Sequence, residues 1–211
     1  MGNSLAVLGA GGHGKVVADI ARASGEWEDI VFFDDGYPVK GKNSDWDIIG
    51  TYNDLLKYHS RYDGVIVGFG SNKARLIALD SLKVQGARII SVTHPMSIIS
   101  PSVSVLEGSV VCAAAVINAD AVVGRGCIIN TGAIIEHDCA LGDGVHISPN
   151  VALAGGTIVG ACSWVGIGAV TKQQVIIGSN AVVGAGSVVL EAVADGVTVA
   201  GNPARVLKTI C

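Results

Sequence analysis

The sequence predicts a small α/β domain followed by a parallel β-helix, and composition and two patterns carry this prediction. Glycine accounts for 29 of the 211 residues, about twice its ordinary frequency, whereas aromatic residues make up only 5%. Before residue 95, apolar strand patterns alternate with helical patterns, which is typical of α/β folds. From Ile99 onwards, an apolar residue recurs at every sixth position. We therefore divide the chain into an α/β domain at residues 1–95 and a β-helix at residues 96–211.

The α/β domain begins with a glycine loop. An apolar strand over residues 4–8 is followed by Gly9–Gly14 and then by a helical pattern, which is the dinucleotide-binding order of strand, G-x-G-x-x-G and helix. A second strand, residues 30–33, ends in Asp34 and Asp35, where such folds place a ribose-binding carboxylate. Because only one half of a doubly wound sheet fits before the repeat, we do not expect NAD as a cofactor.

Two further strands, residues 64–68 and 87–92, flank a helix predicted at residues 72–84. The carboxyl ends of parallel strands meet at one edge of a sheet, and a helix N-terminus there can bind phosphate through backbone N–H groups. We therefore expect this edge to bind a phosphate or a ribose. The residues predicted to bind it are Gly11, Gly12, His13, Asp34, Asp35 and Gly70. The alternative is a glycine turn that only packs strand against helix.

The six-residue period defines the second domain. Starting at Ile99, fifteen of sixteen such positions are aliphatic, and Thr171 is the exception. Four residues after each comes a small or β-branched residue, from Val103 to Val193. This period suits a prism of short strands in which three hexads make one coil of about 18 residues, which gives about five coils. Glycines are predicted to form the sharp or positive-φ corners, namely Gly124, Gly126, Gly142, Gly144, Gly155, Gly156, Gly160, Gly166 and Gly168.

Charge and cysteine content limit the partners. With 14 basic and 18 acidic side chains the net charge is −4, so we expect neither nucleic acid nor a membrane surface as a partner. The five cysteines form no C-x-x-C pair, which favours a reducing compartment and hence the cytoplasm. The opening residues lack the pattern of a signal peptide. Residues 144–171 carry no Asp, Glu, Lys or Arg, but glycines and Pro149 interrupt them, so we predict no membrane span.

Motifs from both halves resemble one enzyme group. The hexads, the segment Ile135–Cys139, the closing turn Ala200–Arg205 and the Gly9–Gly14 loop are similar to the hexapeptide-repeat acetyltransferases of the sialic acid O-acetyltransferase and nucleotide-amino-sugar N-acetyltransferase group. That group includes enzymes of the bacillosamine pathway that acetylate the 4-amino group of a UDP-linked sugar. The resemblance covers essentially the whole chain. It implies a left-handed β-helix, a homotrimer, acetyl-CoA as co-substrate between neighbouring prisms, and a nucleotide-linked amino sugar bound by the N-terminal domain.

His137 is the candidate general base. Acetyl transfer to an amine requires removal of a proton, and an imidazole that titrates near pH 7 can accept it. His137 lies between Glu136 and Asp138, so a carboxylate is available to orient the ring. The resemblance implies that His137 is the base and that Asp138 orients it, whereas the residues alone leave Glu136 open for that role.

The resemblance also assigns an acetyl-CoA site and a sugar contact. It implies that His13 faces the sugar and that the Gly155 N–H donates to the tetrahedral oxyanion. The residues that it places beside acetyl-CoA are His146, Gly155, Ile167 and Ala185.

Alternative chemistries are open at this level. Cys139 lies two residues from His137, but it belongs to the small inward column, where a thiol acts as a small apolar group. Direct attack on the thioester is therefore expected. A metal site from His137, Asp138 and His146 is not expected, because no second close pair of ligands accompanies them. The other functions are O-acetylation of sialic acid or a related sugar, and a non-catalytic trimer that binds a nucleotide sugar.

Overall fold

The computed structural model describes residues 2–207, which form two compact units that divide between Pro95 and Met96. Cys211, the last of the five cysteines, lies outside the described residues. Among the described residues, no helix combines the length and the apolar character that crossing a membrane requires.

The first unit is a sheet with helices packed on it. Its elements are β1 (Ser4–Leu8), α1 (Gly12–Ser24), β2 (Asp29–Phe33), β3 (Lys42–Asn43), β4 (Trp46–Gly50), α2 (Tyr52–Tyr58), β5 (Gly64–Val67), α3 (Asn72–Val84) and β6 (Val92–Thr93), with a 3-10 turn at His59–Arg61. The strand order is β3-β4-β2-β1-β5, and every pair except β3 and β4 is parallel. Because β1 and β5 are buried along nearly their whole length, they read as continuous apolar runs.

Local signals set the ends of the helices. Helix α1 ends at Gly25, whose φ of +71° is the left-handed conformation that glycine adopts without strain. Its N-cap, Gly11, provides no side chain, so the first N–H groups of the helix receive no side-chain cap. Helix α2 begins with a capping box, in which Thr51 and Asp54 each accept a hydrogen bond from the other's backbone N–H.

Two features of this unit differ from the prediction. The strand predicted at residues 87–92 is wrong in extent, because Ile89 makes only an isolated bridge to Val65 and β6 begins at Val92. The apolar run there is half-buried, so it resembles a buried strand in sequence without forming a full ladder. Strands β3 and β4 were not predicted, because β3 consists of only two polar residues and β4 mixes polar with apolar residues.

The second unit is a left-handed parallel β-helix. Its strands are β7 (Ile98–Ile99), β8 (Ser104–Val105), β9 (Val110–Val111), β10 (Val116–Ile117), β11 (Val122–Val123), β12 (Ile128–Ile129), β13 (Ile134–Ile135), β14 (Ala140–Leu141), β15 (His146–Ile147), β16 (Ala152–Leu153), β17 (Ile158–Val159), β18 (Trp164–Val165), β19 (Val170–Thr171), β20 (Ile176–Ile177), β21 (Val182–Val183), β22 (Val188–Val189), β23 (Thr198–Ala200) and β24 (Arg205–Val206). Sheet I contains β7, β10, β13, β16, β19 and β22; sheet II contains β8, β11, β14, β17 and β20; sheet III includes β9, β12, β15, β18, β21, β23 and β24.

The two inward columns form the core of this unit, as predicted. Strands 18 residues apart pair in parallel, for example Ile117 with Ile135. The large and small column residues are buried together in one cluster. At the end of the prism, β24 pairs antiparallel with β23. The repeat period therefore fixes which side chains enter the core and which face outward.

The corners only partly follow the glycine prediction. Every sixth residue from Gly108 to Gly186 has a φ between +54° and +75°, and half of these residues are not glycine. The glycines of that prediction that lack a positive φ are Gly124, Gly142, Gly155, Gly160 and Gly166. Most of these allow coils to stack closely: a Cβ on Gly142 would lie 2.7 Å from the Ala161 nitrogen. Their role is steric, because the next coil's backbone leaves no room for a side chain.

Candidate active site

His137 lies on the corner between β13 and β14, which joins sheet I to sheet II. Its Nδ1 lies 2.7 Å from Asp138 Oδ2, and both side chains are exposed. Asp138 has a φ of +59°, a conformation that Asp and Asn tolerate better than most residues. Because a carboxylate only accepts, the neutral ring donates from Nδ1 and keeps its lone pair on Nε2. The corner therefore presents a basic nitrogen to solvent.

The charges around this ring favour its protonated form. The hydrogen bond to Asp138 is the main cause that raises the pKa of His137 above 6.5. Desolvation is the next largest cause and opposes this increase, whereas the charges of Asp138 and Glu136 add to it. The carboxylate bonded to the ring is that of Asp138, and Glu136 acts only through its charge. The imidazole is thus a stronger base than an isolated histidine.

Gly155 lies directly against this ring, one coil farther along the same corner. A Cβ on Gly155 would lie 2.6 Å from both Cε1 and Nε2 of His137. The Gly155 carbonyl accepts from the Gln174 N–H, and the neighbouring Gly156 N–H donates to the His137 carbonyl at 2.9 Å. Within residues 2–207, no group accepts a hydrogen bond from the Gly155 N–H. The corner thus combines a basic nitrogen with an available backbone donor.

Cys139 is a buried thiol beside this corner. Its Sγ lies 3.4 Å from the Ala154 carbonyl, to which it donates. Burial is the largest cause that raises the pKa of Cys139 above its usual value of 9.0. A thiol that is both buried and less acidic than usual is a poor nucleophile.

A second group of polar side chains lies on sheet III. The rings of His146 on β15 and Trp164 on β18 stack with their centroids 5.5 Å apart and their planes 2° from parallel. Trp164 Nε1 donates to Ser148 Oγ at 2.6 Å, and Asn130 Nδ2 lies 3.3 Å from His146 Nε2. These contacts hold the His146 ring in one orientation on the outer surface of the sheet.

The predicted acetyl-CoA residues therefore occupy two places on the prism. Ile167 and Ala185 lie one coil apart on the corner that joins sheet III to sheet I, and both are exposed. His146 lies on sheet III beside that corner, whereas Gly155 lies with His137 on the corner between sheets I and II. Within residues 2–207, no group of three or more His, Cys, Asp or Glu side chains is placed to hold a metal ion.

Five of the six predicted substrate residues line a cleft in the first unit. It has a volume of about 590 Å³. Gly11, Gly12, His13, Asp34 and Gly70 line it, and Asp35 does not. Asp34 accepts from the Ala10 N–H at 2.7 Å and from the Gly36 N–H at 3.0 Å, whereas Asp35 accepts from the Tyr52 N–H at 2.9 Å. Both carboxylates therefore also stabilise the loops that carry them.

Three residues that the sequence did not single out do not line this cleft but bond to the backbone of the loops beside it. Lys40 Nζ donates to the Ala10 carbonyl, and Asn43 Nδ2 donates to the Gly11 carbonyl at 3.2 Å. Arg75 is fully buried, and its guanidinium donates to the Phe69 carbonyl at 2.8 Å. The G-x-G-x-x-G motif predicts the glycine loop, but no sequence pattern predicts which distant side chains donate hydrogen bonds to the loops beside the cleft.

Comparisons with known proteins agree with this architecture. The PglD N-terminal domain family matches residues 4–82, and the bacterial transferase hexapeptide family (six repeats) matches residues 120–155. The acetyltransferase domain of PglB from Neisseria gonorrhoeae FA1090, solved in complex with acetyl coenzyme A, is 41% identical with a TM-score of 0.94 and covers 98% of this chain and 100% of its own.

Two relatives have a named sugar. PerB from Caulobacter crescentus, solved in complex with CoA and GDP-perosamine, is 35% identical with a TM-score of 0.90, and the match covers 97% of each chain. The GDP-perosamine N-acetyltransferase of Escherichia coli O157:H7 is 30% identical over 98% of this chain and 97% of its own length. On these matches the chain belongs to the hexapeptide-repeat nucleotide-amino-sugar N-acetyltransferases, which are acyltransferases that use acetyl-CoA.

Proposed function

We propose that this enzyme transfers acetyl from acetyl-CoA to the 4-amino group of a UDP-linked amino-deoxy sugar, with His137 as general base. The observation that carries the proposal is the 2.7 Å hydrogen bond from His137 Nδ1 to Asp138, which leaves Nε2 as the proton acceptor beside Gly155. The amine attacks the thioester carbonyl directly while Nε2 takes its proton. The C–S bond then breaks, and the imidazolium returns the proton to the CoA thiolate.

The Gly155 N–H stabilises the oxyanion in this proposal. Negative charge develops on the thioester oxygen as the amine attacks, and a preorganised backbone donor there lowers the barrier. Gly155 supports this role because its N–H is available and its Cα lies against the His137 ring. No enzyme-bound acyl intermediate is required, since Cys139 is buried and its pKa is raised.

Acetyl-CoA lies, in this proposal, between two copies of the chain in a homotrimer. Support comes from the separation of the predicted residues: the base occupies one corner, whereas His146, Ile167 and Ala185 lie on sheet III and the next corner. A complete site forms when the base corner of one copy meets sheet III of its neighbour. The cytoplasm is the proposed compartment, and the free thiols of Cys112, Cys127, Cys139 and Cys162 support a reducing one.

The nucleotide sugar binds, in this proposal, in the cleft beside the start of α1. The uncapped N–H groups of the first helical turn supply donors for a phosphate. The binding residues are Gly11, Gly12, His13, Asp34 and Gly70, with Asp35 acting through the loop it holds.

The nucleotide is tested by direct comparison of acceptors. Release of free CoA thiol is measured with UDP-, dTDP- and GDP-linked 4-amino-4,6-dideoxy sugars and with sialic acid. We expect the highest kcat/KM with the UDP-linked sugar. Exclusive turnover of the GDP-linked sugar instead assigns a perosamine-type substrate, which the names of two relatives favour. Turnover of sialic acid alone would replace N-acetylation with O-acetylation.

Asp138→Asn is expected to shift the pH profile and slow the reaction. The raised pKa of His137 places the acid limb of kcat/KM above pH 6.5, because only the neutral ring accepts a proton. Loss of the carboxylate lowers this pKa, so the limb moves to lower pH. The new amide can also donate to Nδ1, which leaves the proton on Nε2 and lowers kcat by about 100-fold or more.

Glu136→Gln is the matched control for this change. It removes a nearby charge but keeps the hydrogen bond to Asp138, so we expect a smaller downward shift and nearly normal kcat. Asparagine tolerates the φ of +59° at residue 138, so both variants should fold. Equal effects of the two substitutions would contradict the role of Asp138.

Trp164→Leu is expected to raise the KM for acetyl-CoA about three- to tenfold with a smaller change in kcat. The stack on His146 is lost, and such aromatic pairs contribute about 0.5–1.5 kcal/mol. Trp164→Phe keeps a ring but loses the bond to Ser148, so its KM should lie closer to that of the wild type. An unchanged KM for acetyl-CoA in Trp164→Leu would contradict the role of His146 in binding acetyl-CoA.

A further inference from the structure

Thr171 is the polar exception in a column that is otherwise aliphatic, and it is 9% exposed. A buried hydroxyl is costly unless it is hydrogen-bonded. Because fifteen other positions of the column use aliphatic side chains, packing of the prism does not itself require a hydroxyl there. The partners of Thr171 therefore bear on its role.

The ladder between coils is interrupted at this residue. In the preceding coils, backbone N–H groups on either side of a strand donate to the carbonyl seventeen residues farther on, as from Glu136 to Leu153 at 3.0 Å. The Ala154 N–H instead donates to Thr171 Oγ1, also at 3.0 Å. Strands β16 and β19 accordingly pair at a single residue, whereas β13 and β16 pair at two. A side chain thus replaces one rung of the ladder.

Two hydroxyls close a ring of hydrogen bonds around Ala154. Thr157 Oγ1 donates to the Ala154 carbonyl at 2.6 Å, and it lies 3.0 Å from Thr171 Oγ1. Because Thr157 gives its only hydroxyl proton to the carbonyl, the proton between the two hydroxyls belongs to Thr171. Each hydroxyl then donates once and accepts once, so the ring is complete and fixes the peptide on both sides of Ala154.

This ring acts with the turn hydrogen bond from the Thr157 N–H to the Ala154 carbonyl, at 3.2 Å, to hold the direction of the Gly155 N–H. The Ala154 carbonyl and the Gly155 N–H belong to one planar trans peptide, so they point in opposite directions. The carbonyl points into the prism, where Thr157 Oγ1 and Cys139 Sγ donate to it. The Gly155 N–H therefore points outward, on the side where Gly155 contacts the His137 ring.

We propose that Thr171 is a positioning residue for acetyl transfer: its hydroxyl, together with that of Thr157, replaces a rung of the coil ladder and thereby aims the Gly155 N–H at the oxyanion. The inference rests on the proposed function, in which Gly155 is the oxyanion donor. Interruptions of strand pairing often lie beside active sites, where they redirect a group toward the substrate.

Thr171→Val tests the proposal because it keeps the shape of the side chain and matches the rest of the column. We expect the variant to unfold within a few degrees of the wild type. Its kcat should fall about tenfold or more, since a misdirected oxyanion donor loses part of its effect, whereas both KM values change less than about threefold. The acid limb of the pH profile should stay in place, because Thr171 does not contact His137. Thr171→Ser restores the hydroxyl and should recover kcat to within about threefold.

Ser109→Ala is the matched control, because it removes another buried hydroxyl of the prism, which bonds to the Gly124 carbonyl at 2.9 Å. Its kcat should equal that of the wild type. A crystal structure of Thr171→Val shows the orientation of the Ala154–Gly155 peptide independently of any activity measurement. We expect the Ala154 N–H to bond to the carbonyl of residue 171 and the Ala154–Gly155 peptide to rotate.

Several outcomes would overturn the role of Thr171. They are a full kcat in Thr171→Val, an unmoved peptide in its crystal structure, or a rise in both KM values together with a lower unfolding temperature, which is what a merely structural threonine gives. Failure of the wild type to acetylate any nucleotide sugar would instead overturn the proposed function, and the crystal structure would still decide the placement of the peptide.

Discussion

Replacing His137 with alanine is expected to lower kcat by about 10²- to 10⁴-fold, the usual contribution of a positioned general base. The ring is exposed and contacts few neighbours apart from Asp138 and Gly155, so its removal should not disturb the core of the prism. Release of CoA thiol at saturating acetyl-CoA and nucleotide sugar measures the loss. At higher pH a larger fraction of the sugar amine is already neutral, so the loss of kcat in His137→Ala should become smaller as the pH rises.

His59→Ala is a suitable control for this experiment. His59 lies in the 3-10 turn of the first unit, and its side chain does not line the cleft of that unit. Its kcat and KM should match those of the wild type. Nearly normal turnover by a correctly folded His137→Ala variant would refute general-base catalysis by this residue.

Gly155→Ala is expected to reduce kcat about 10- to 100-fold, through displacement of the base and of the oxyanion donor. The added methyl would lie 2.6 Å from His137 Nε2, well inside van der Waals contact. Gly155 lacks a positive φ, so the alanine backbone is unstrained and the clash is confined to the ring. Steady-state kinetics with both substrates, together with a crystal structure of the variant, would show the ring displaced.

Gly41→Ala supplies the comparison, because Gly41 also lacks a positive φ and nothing lies within 4 Å of its added Cβ. We expect it to leave kcat unchanged. If Gly155→Ala retained full activity with the ring in place, neither the close packing of Gly155 nor its N–H would matter for turnover.

The hexad period predicted the prism because the same constraint acts at every coil. An inward position such as Ile147 or Val165 has an equivalent neighbour on the coils above and below, so the pattern recurs many times and can be recognised in the sequence. The backbone conformation of the corner residues is harder to predict from the sequence. Asp138 and Gln174 adopt the same left-handed φ as Gly156, and side-chain identity alone therefore does not distinguish a turn from a close approach between coils.

The site was only partly accessible from sequence for a related reason. The neighbouring positions of His137 and Asp138 made their hydrogen bond foreseeable. The contact of Gly155 with His137 depends on coil stacking, and the ring around Ala154 depends on one missing ladder bond. In the first unit, Lys40 and Asn43 reach the glycine loop across 30 and 32 residues of chain, a separation that no local pattern reports.

The antiparallel strand β24 has a consequence for how this molecule associates. A stack of parallel coils ends in a row of unpaired backbone groups, which is a template for further strands and hence for fibre growth. Because β24 pairs with β23 in the opposite direction, another coil cannot continue the parallel register on that edge. The prism is thus blocked from lengthening at sheet III, which leaves its sides, with half-exposed Ile158 and Trp164, as the surfaces available to the proposed homotrimer.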